Sequence, residues 1–250
     1  MKHRNSIRFA ARFAAVLASA VLAASASSVS TLQAPIASGS CGTVTITDFG
    51  SYSCTGGSVT LGTAPSPFVH ATFDGIGDHG TPDDGGTGLV SYFVGVNGGN
   101  PGDAVPVSIV ASLSTSGIGA LDEDVVDSSA SITLNFANGN SFAQQSVFCG
   151  NVLRGEDCSN PTWSGTLHAI AWVGYDNIVT LSTSITIAGA GHADAVADPY
   201  IFIDPGFAAD NPEYSLDLNV GNASPAPEPA TWAFGLSALC ALAARRLRRS

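Results

Sequence analysis

Between residues 44 and 220 the apolar side chains recur in short runs of period two, separated by turn-forming clusters. VTITDF (44–49), GLVSYFVGV (88–96), VPVSIVASL (105–113) and SASITLNF (129–136) are β-branched or aromatic. So are GTLHAIAWV (165–173), IVTLSTSITIA (178–188), YIFID (200–204) and EYSLDLNV (213–220). Alternation of apolar and polar residues from Ser131 to Phe136 and from Val179 to Ile187 is that of half-buried strands. NGGNPGD (97–103), NGN (138–140) and DPGFAADNP (204–212) read as turns, and Asn138-Gly139 predicts a hairpin between SITLNF and SFAQQSVF. Between the termini no capped, amphipathic helix of ten residues is visible. The expected class is all-β: one β-sandwich or jelly-roll-like domain, flanked by an N-terminal signal helix and a C-terminal hydrophobic helix.

The two ends depart from this pattern. Lys2, Arg4, Arg8 and Arg12 precede the apolar run 13–24, which closes in Ala24-Ser25-Ala26. A basic segment, a short apolar segment and a small-residue site describe a secretory signal peptide, with cleavage expected after Ala26. At the other end a proline-rich joint leads into the apolar run 230–244 and a knot of arginines. The expected organisation is therefore signal peptide 1–26, extracellular sandwich 27–222, Pro-rich linker 223–230 and hydrophobic anchor 231–250.

Charge sharpens the picture. Eight of the nine basic side chains lie in the two ends, leaving Arg154 alone against nineteen acids between residues 27 and 226, a net −18. Such a field repels nucleic acid and anionic lipid and attracts cations, so nucleic-acid binding is excluded. Disorder also demands low hydrophobicity. This chain is 45% apolar, and about 200 residues can bury a sizeable core as one domain.

Cys41, Cys54, Cys149 and Cys158 fall in the expected mature region and Cys240 in the apolar tail. Export favours disulfides, and proximity favours Cys41–Cys54 and Cys149–Cys158; the spacings lack a C-x₂₋₄-C pair of the kind zinc sites use.

Pro227-Glu228-Pro229, then the apolar run, then Arg245, Arg246, Leu247, Arg248 and Arg249 at the extreme end resemble the PEP-CTERM sorting signal of exported bacterial proteins. The stretch GHADAVADPYIFIDP (191–205) is also similar to one that recurs near the end of such proteins. The resemblance implies recognition of Pro227, Glu228 and Pro229 by an exosortase, a membrane transpeptidase-like enzyme. It also implies a transient membrane anchor held by Arg245, Arg246, Arg248 and Arg249, and a host that makes an exopolysaccharide. The apolar run is short for a full span, which takes about 17–25 residues. The trailing arginines would hold its end on the cytoplasmic side.

Candidate chemistry in the middle is sparse. In FDGIGDHGTPDDGG (73–86), Asp74, Asp78, Asp83 and Asp84 offer carboxylates to calcium, although the spacing matches no EF-hand loop and a solvated Gly/Asp loop between strands fits as well. Asp122, Glu123, Asp124 and Asp127 raise a glycosidase reading, which needs two carboxylates across a sugar. His192, Asp194 and Asp198 look like ligand spacing, but a strand would align the first two and leave Asp198 beside a proline turn. His70, His79 and His168 are scattered, and no G-x-S-x-G elbow exists. Trp163, Trp172 and Tyr175 suit either a sugar-stacking platform or a buried core. Two functions follow: a non-enzymatic exported protein of the cell surface or exopolysaccharide matrix, or a secreted hydrolase acting on polysaccharide through its acids.

Overall fold

The computed structural model describes residues 32–76, 84–119, 125–136, 139–152 and 161–222. The expected signal peptide, Pro-rich linker and C-terminal anchor lie outside these residues. The chain opens with β1 (Ile36–Cys41), β2 (Val44–Ile46), β3 (Gly50–Cys54) and β4 (Gly57–Gly62). Long strands follow: β5 (Phe68–Ile76), β6 (Asp84–Asn97), β7 (Ala104–Gly119), β8 (Val125–Phe136) and β9 (Ser141–Val152). The last are β10 (Thr162–Trp172), β11 (Asn177–Ala188) and β12 (Ala190–Ile203), then a short helix α1 (Pro205–Asp210) and β13 (Ser215–Leu218).

These strands make two antiparallel sheets, a β-sandwich. A seven-stranded sheet runs β2-β1-β6-β11-β8-β9, with β13 on the end of β6; a six-stranded sheet runs β10-β7-β12-β5-β4-β3. The period-two pattern explains the layering, because each strand sends alternate side chains inward. Val90, Tyr92 and Val94 on β6, Ile132 and Leu134 on β8, and Val179 and Leu181 on β11 fill one side of the core. Val69, Ala71 and Phe73 on β5 meet them with Ile109 and Leu113 on β7. Each large side chain so buried contributes about 1.5–3 kcal/mol. In the middle of β12 the inward residues shrink to Ala193, Ala195 and Ala197. Close approach of the sheets also requires Gly88 on β6, where a Cβ would come within 2.6 Å of Val69 Cγ1.

The expected hairpin is present: β8 and β9 pair from Phe136↔Ser141 onward, with Gly139 at φ +94° in the connection. The expected disulfide Cys41–Cys54 is present too, with a Cα separation of 5.6 Å. It joins β1 of one sheet to β3 of the other, so it clamps the sandwich at that edge. Cys149 on β9 is buried and disulfide-bonded, while Cys158 lies outside the described residues.

Some local expectations need correction. VTITDF keeps only residues 44–46 in a strand, and EYSLDLNV only 215–218. The stretch 73–86 is not one loop: residues 73–76 end β5 and residues 84–86 begin β6. The cluster 204–212 contains helix α1, capped by Asp204, whose Oδ1 accepts the N–H groups of Gly206 and Phe207. There is also no proline turn at Pro199. Strand β12 runs straight through it, pairing with β7 from Gly191↔Gly119 to Ile203↔Val107. The physical reason is that β5 pairs with β12 only as far as Ala197↔Val69. The missing N–H of Pro199 therefore falls beyond that pairing and costs no ladder bond. Two residues on, the side chain of Asn222 takes the vacated place, accepting from Ile201 N–H at 3.0 Å and donating to its carbonyl at 2.7 Å.

Candidate functional site: the outer face of the six-stranded sheet

Alternation that buries Val69, Ala71 and Phe73 turns His70, Thr72 and Asp74 outward on β5. The same parity on β12 turns out His192, Asp194, Val196, Asp198, Tyr200 and Phe202. Register then decides which of them meet. His192 lies directly opposite Asp74, and Asp194 opposite Thr72, one step from His70. His192 Nδ1–H donates to Asp74 Oδ1 at 2.7 Å, and His70 Nε2–H reaches diagonally to Asp194 Oδ2 at 2.7 Å. The hydrogen bond to Asp194 raises the His70 pKa; partial burial opposes it and the carboxylate charge adds to it. The His70–Asp194 pair is partly buried and the His192–Asp74 pair more exposed, and both stay in contact with solvent, so each is worth at most about 1 kcal/mol.

Two imidazoles and two carboxylates side by side invite a metal. Among the described residues, however, no three His, Cys, Asp or Glu side chains converge on a site that could hold one. The face instead has two separate hydrogen-bonded His–Asp pairs.

Further along β12 the chemistry changes. Ser66 Oγ donates to Asp198 Oδ1 at 2.8 Å, pinning the segment before β5 to the sheet. Tyr200 and Phe202 then form a tilted pair with ring centroids 5.6 Å apart. Across β7 from Phe202, the register places Ser108 and then His168, whose Nδ1 and the Ser108 hydroxyl lie 3.1 Å apart. His168, Ile170, Pro106, Ser141 and Asp204 line an open groove of about 240 Å³ at this end of the sheet. Its polar groups are each held by a bond within the protein: His168 by Ser108, Asp204 by the start of α1, and Ser141 Oγ by the N–H of Ile170. The arrangement offers a fixed set of imidazole, hydroxyl and carboxylate groups beside an aromatic pair.

The residues singled out in the sequence scatter over this frame. Asp74 is on the face and already paired with His192. Asp84 begins β6, while Asp78 and Asp83 lie outside the described residues. His192, Asp194 and Asp198 share one face after all, because the strand does not break at Pro199. Asp127 sits on β8 in the other sheet and is engaged there; Asp122, Glu123 and Asp124 lie outside the described residues. The three aromatics near residue 170 make no common platform. Trp163 packs inward against the core, whereas Trp172 and Tyr175 meet edge-to-face at 6.5 Å. Pro227, Glu228, Pro229 and the arginines at 245, 246, 248 and 249 lie outside the described residues. Sequence reasoning missed the partnership of His70 with Asp194 and of Ser66 with Asp198. Strand parity could have hinted at the first; nothing local marks the second, since Ser66 precedes β5.

No family model matches this chain, and no curated protein matches it. Among solved structures, the carbohydrate-binding module TmCBM61, determined in complex with β-1,4-galactotriose, aligns with 54% of this chain and 71% of its own at 16% identity and a TM-score of 0.22. The infectious bursal disease virus VP2 subviral particle aligns with 86% of this chain and 69% of its own at 12% identity and a TM-score of 0.18. Likenesses at this level carry no argument about function, and the sandwich stands on its own strand pairing.

Proposed function

We propose that this is an exported, non-enzymatic protein of the cell surface or exopolysaccharide matrix, delivered through a PEP-CTERM sorting signal and trimmed by an exosortase. One observation carries the reading: the ordered trio of Pro227-Glu228-Pro229, apolar run and terminal arginines, in a chain whose other end has a basic-then-apolar leader. The Cys41–Cys54 disulfide supports it, since such bonds persist in oxidising compartments. In this reading the sandwich contacts polysaccharide on the outer face of its six-stranded sheet. The Tyr200–Phe202 pair supplies apolar surface for sugar rings, and the groove groups supply directed hydrogen bonds.

The test is expression of the full chain in a producing host, followed by intact-mass analysis. Mature protein should lack residues 1–26 and the apolar tail and be recovered outside the inner membrane. Alanine at Pro227, Glu228 and Pro229 together should leave the tail attached and the protein in the membrane fraction. Release of wild-type protein with an intact C-terminus sinks the reading.

Calcium belongs to the same proposal. Between residues 27 and 226 nineteen acids against one base repel one another, and a bound cation relieves that. A cation at about 100 times its Kd adds about 2.7 kcal/mol to the folded state. Millimolar calcium is therefore expected to raise Tm, less so in Asp78→Asn/Asp83→Asn. A curve indifferent to calcium removes the cation from the reading.

A further inference from the structure

We infer that strand β9 is a self-association edge, where two copies of this chain pair antiparallel about a two-fold axis at Gln145. Strand β9 ends the seven-stranded sheet, pairing with β8 on one side. Long, unprotected edge strands are normally blunted with charge, proline or a bulge that twists them away. Ser141 to Val152 contains no charged residue and no proline, and its one register irregularity against β8 falls after Cys149, beyond the segment 142–148. Its outward side chains from Phe142 to Phe148 are all exposed, the two phenylalanines by 61% and 64%.

The positions of those rings select the partner. In a two-fold antiparallel pair about Gln145, each residue lies opposite one equally far on the other side of the axis. Phe142 then faces Phe148 of the second copy at both ends of the interface, Gln144 faces Ser146, and Gln145 faces itself. An axis perpendicular to the sheet keeps outer face with outer face, so the register can slip only in steps of two residues. Either neighbouring slip sets Phe142 opposite residue 146 or 150 and loses both ring pairs. A foreign strand would have no reason to match this spacing, whereas an isologous interface is self-complementary by construction.

Charge points the same way. Two domains of net −18 repel, and they approach most easily through an uncharged edge. Asp127 is the acid on the neighbouring strand β8. Screening at about 0.1 M salt shortens the reach of the remaining repulsion to about 10 Å. Added salt should therefore tighten the pair, and low salt should weaken it.

The experiment is cysteine cross-linking of the full chain, solubilised in a non-ionic detergent. Cα atoms directly opposite each other in an antiparallel pair lie about 4.5–5.5 Å apart, which overlaps disulfide reach. Gln145→Cys should give a covalent dimer on non-reducing gels. Ala143→Cys, whose copy lies four residues along the partner strand at about 14 Å, should not. Phe142→Lys/Phe148→Lys in the Gln145→Cys background should cut cross-linking at least tenfold while Tm stays near that of the parent; Phe142→Ser/Phe148→Ser serves if the lysines impair folding. Cross-linking no greater for Gln145→Cys than for Ala143→Cys overturns the inference, as does cross-linking unchanged by the phenylalanine substitutions.

Discussion

The two outer faces of the sandwich are built on the same alternation and carry opposite chemistry. On the seven-stranded sheet the outward rows are hydroxyls bonded across strands: Ser91 with Thr180, Ser131 with Ser182 and Ser40 with Thr87, at 2.9, 2.8 and 3.2 Å. On the six-stranded sheet the outward rows hold His70, Asp74, His192, Asp194 and Asp198, then Tyr200 and Phe202. The inward faces differ little, because both must bury apolar side chains at core density. The fold thus constrains one residue in two, and the other is free to specialise. One face became rich in self-bonded hydroxyls, with Asp127 on β8 and its most exposed apolar rings on β9; the other became rich in His and Asp, with a half-buried aromatic pair.

The clamp that holds the two faces together gives the largest expected effect. Replacing Cys41 and Cys54 by serine opens a loop of 13 residues and frees β1 from β3. Loss of a loop closure of that size costs about 3 kcal/mol. That corresponds to a fall in Tm of about 6–12 °C for a domain of this size. Differential scanning calorimetry reads it; an unchanged Tm would mean that the sheets are held by the core alone.

Between the faces, the Thr183 hydroxyl is buried without a hydrogen-bond partner among the described residues. Thr183→Val removes an unsatisfied group at nearly constant shape, and is expected to raise unfolding free energy by about 1 kcal/mol in urea titration. Destabilisation instead would show that a water satisfies the hydroxyl.

The titratable face should respond to pH where the hydroxyl face does not. His70 has its pKa raised in the folded state by Asp194 above the ordinary 6.5. The pair's stabilisation is then fully present below that ordinary value and fades as pH rises through the raised one. His70→Ala should cost more at pH 6 than at pH 9, by less than about 1 kcal/mol because the pair is still partly open to solvent. A cost independent of pH would show that His70 contributes only packing. The smallest effect belongs to the hydroxyl rows of the seven-stranded sheet. Ser131→Ala/Ser182→Ala removes both partners of a part-buried bond together, and its cost should stay within about 0.5 kcal/mol at every pH.

How much of this the sequence showed follows from the same physics. Strands rich in β-branched residues, such as β8 and β11, were legible because burial of alternate positions is written in their composition. Strands β1 (IASGSC), β3 (GSYSC) and β4 (GSVTLG) were not, because Ser and Gly have little strand preference of their own and these segments become strands by pairing. Strand β5 hid behind Asp74 and Gly75, which read as loop although Val69, Ala71 and Phe73 already alternate. The local disulfide was legible because proximity in sequence favours it. The ion pair of His70 with Asp194 spans 124 positions, and only sheet order brings the two together. Pro199 misled for a related reason: its place beyond the end of β5 is a fact of topology, not of local propensity.

Whether the six-stranded face holds a matrix polymer without cleaving it is decided by electrophoresis of the mature protein through gels containing the producing host's exopolysaccharide, with reducing ends assayed in parallel. The expected result is retardation by the polymer, lost in Tyr200→Ser/Phe202→Ser and kept in Ser131→Ala/Ser182→Ala, with no reducing ends formed. Steady release of reducing ends, abolished by substitution of one carboxylate, would contradict the claim, as would retardation that survives loss of the aromatic pair.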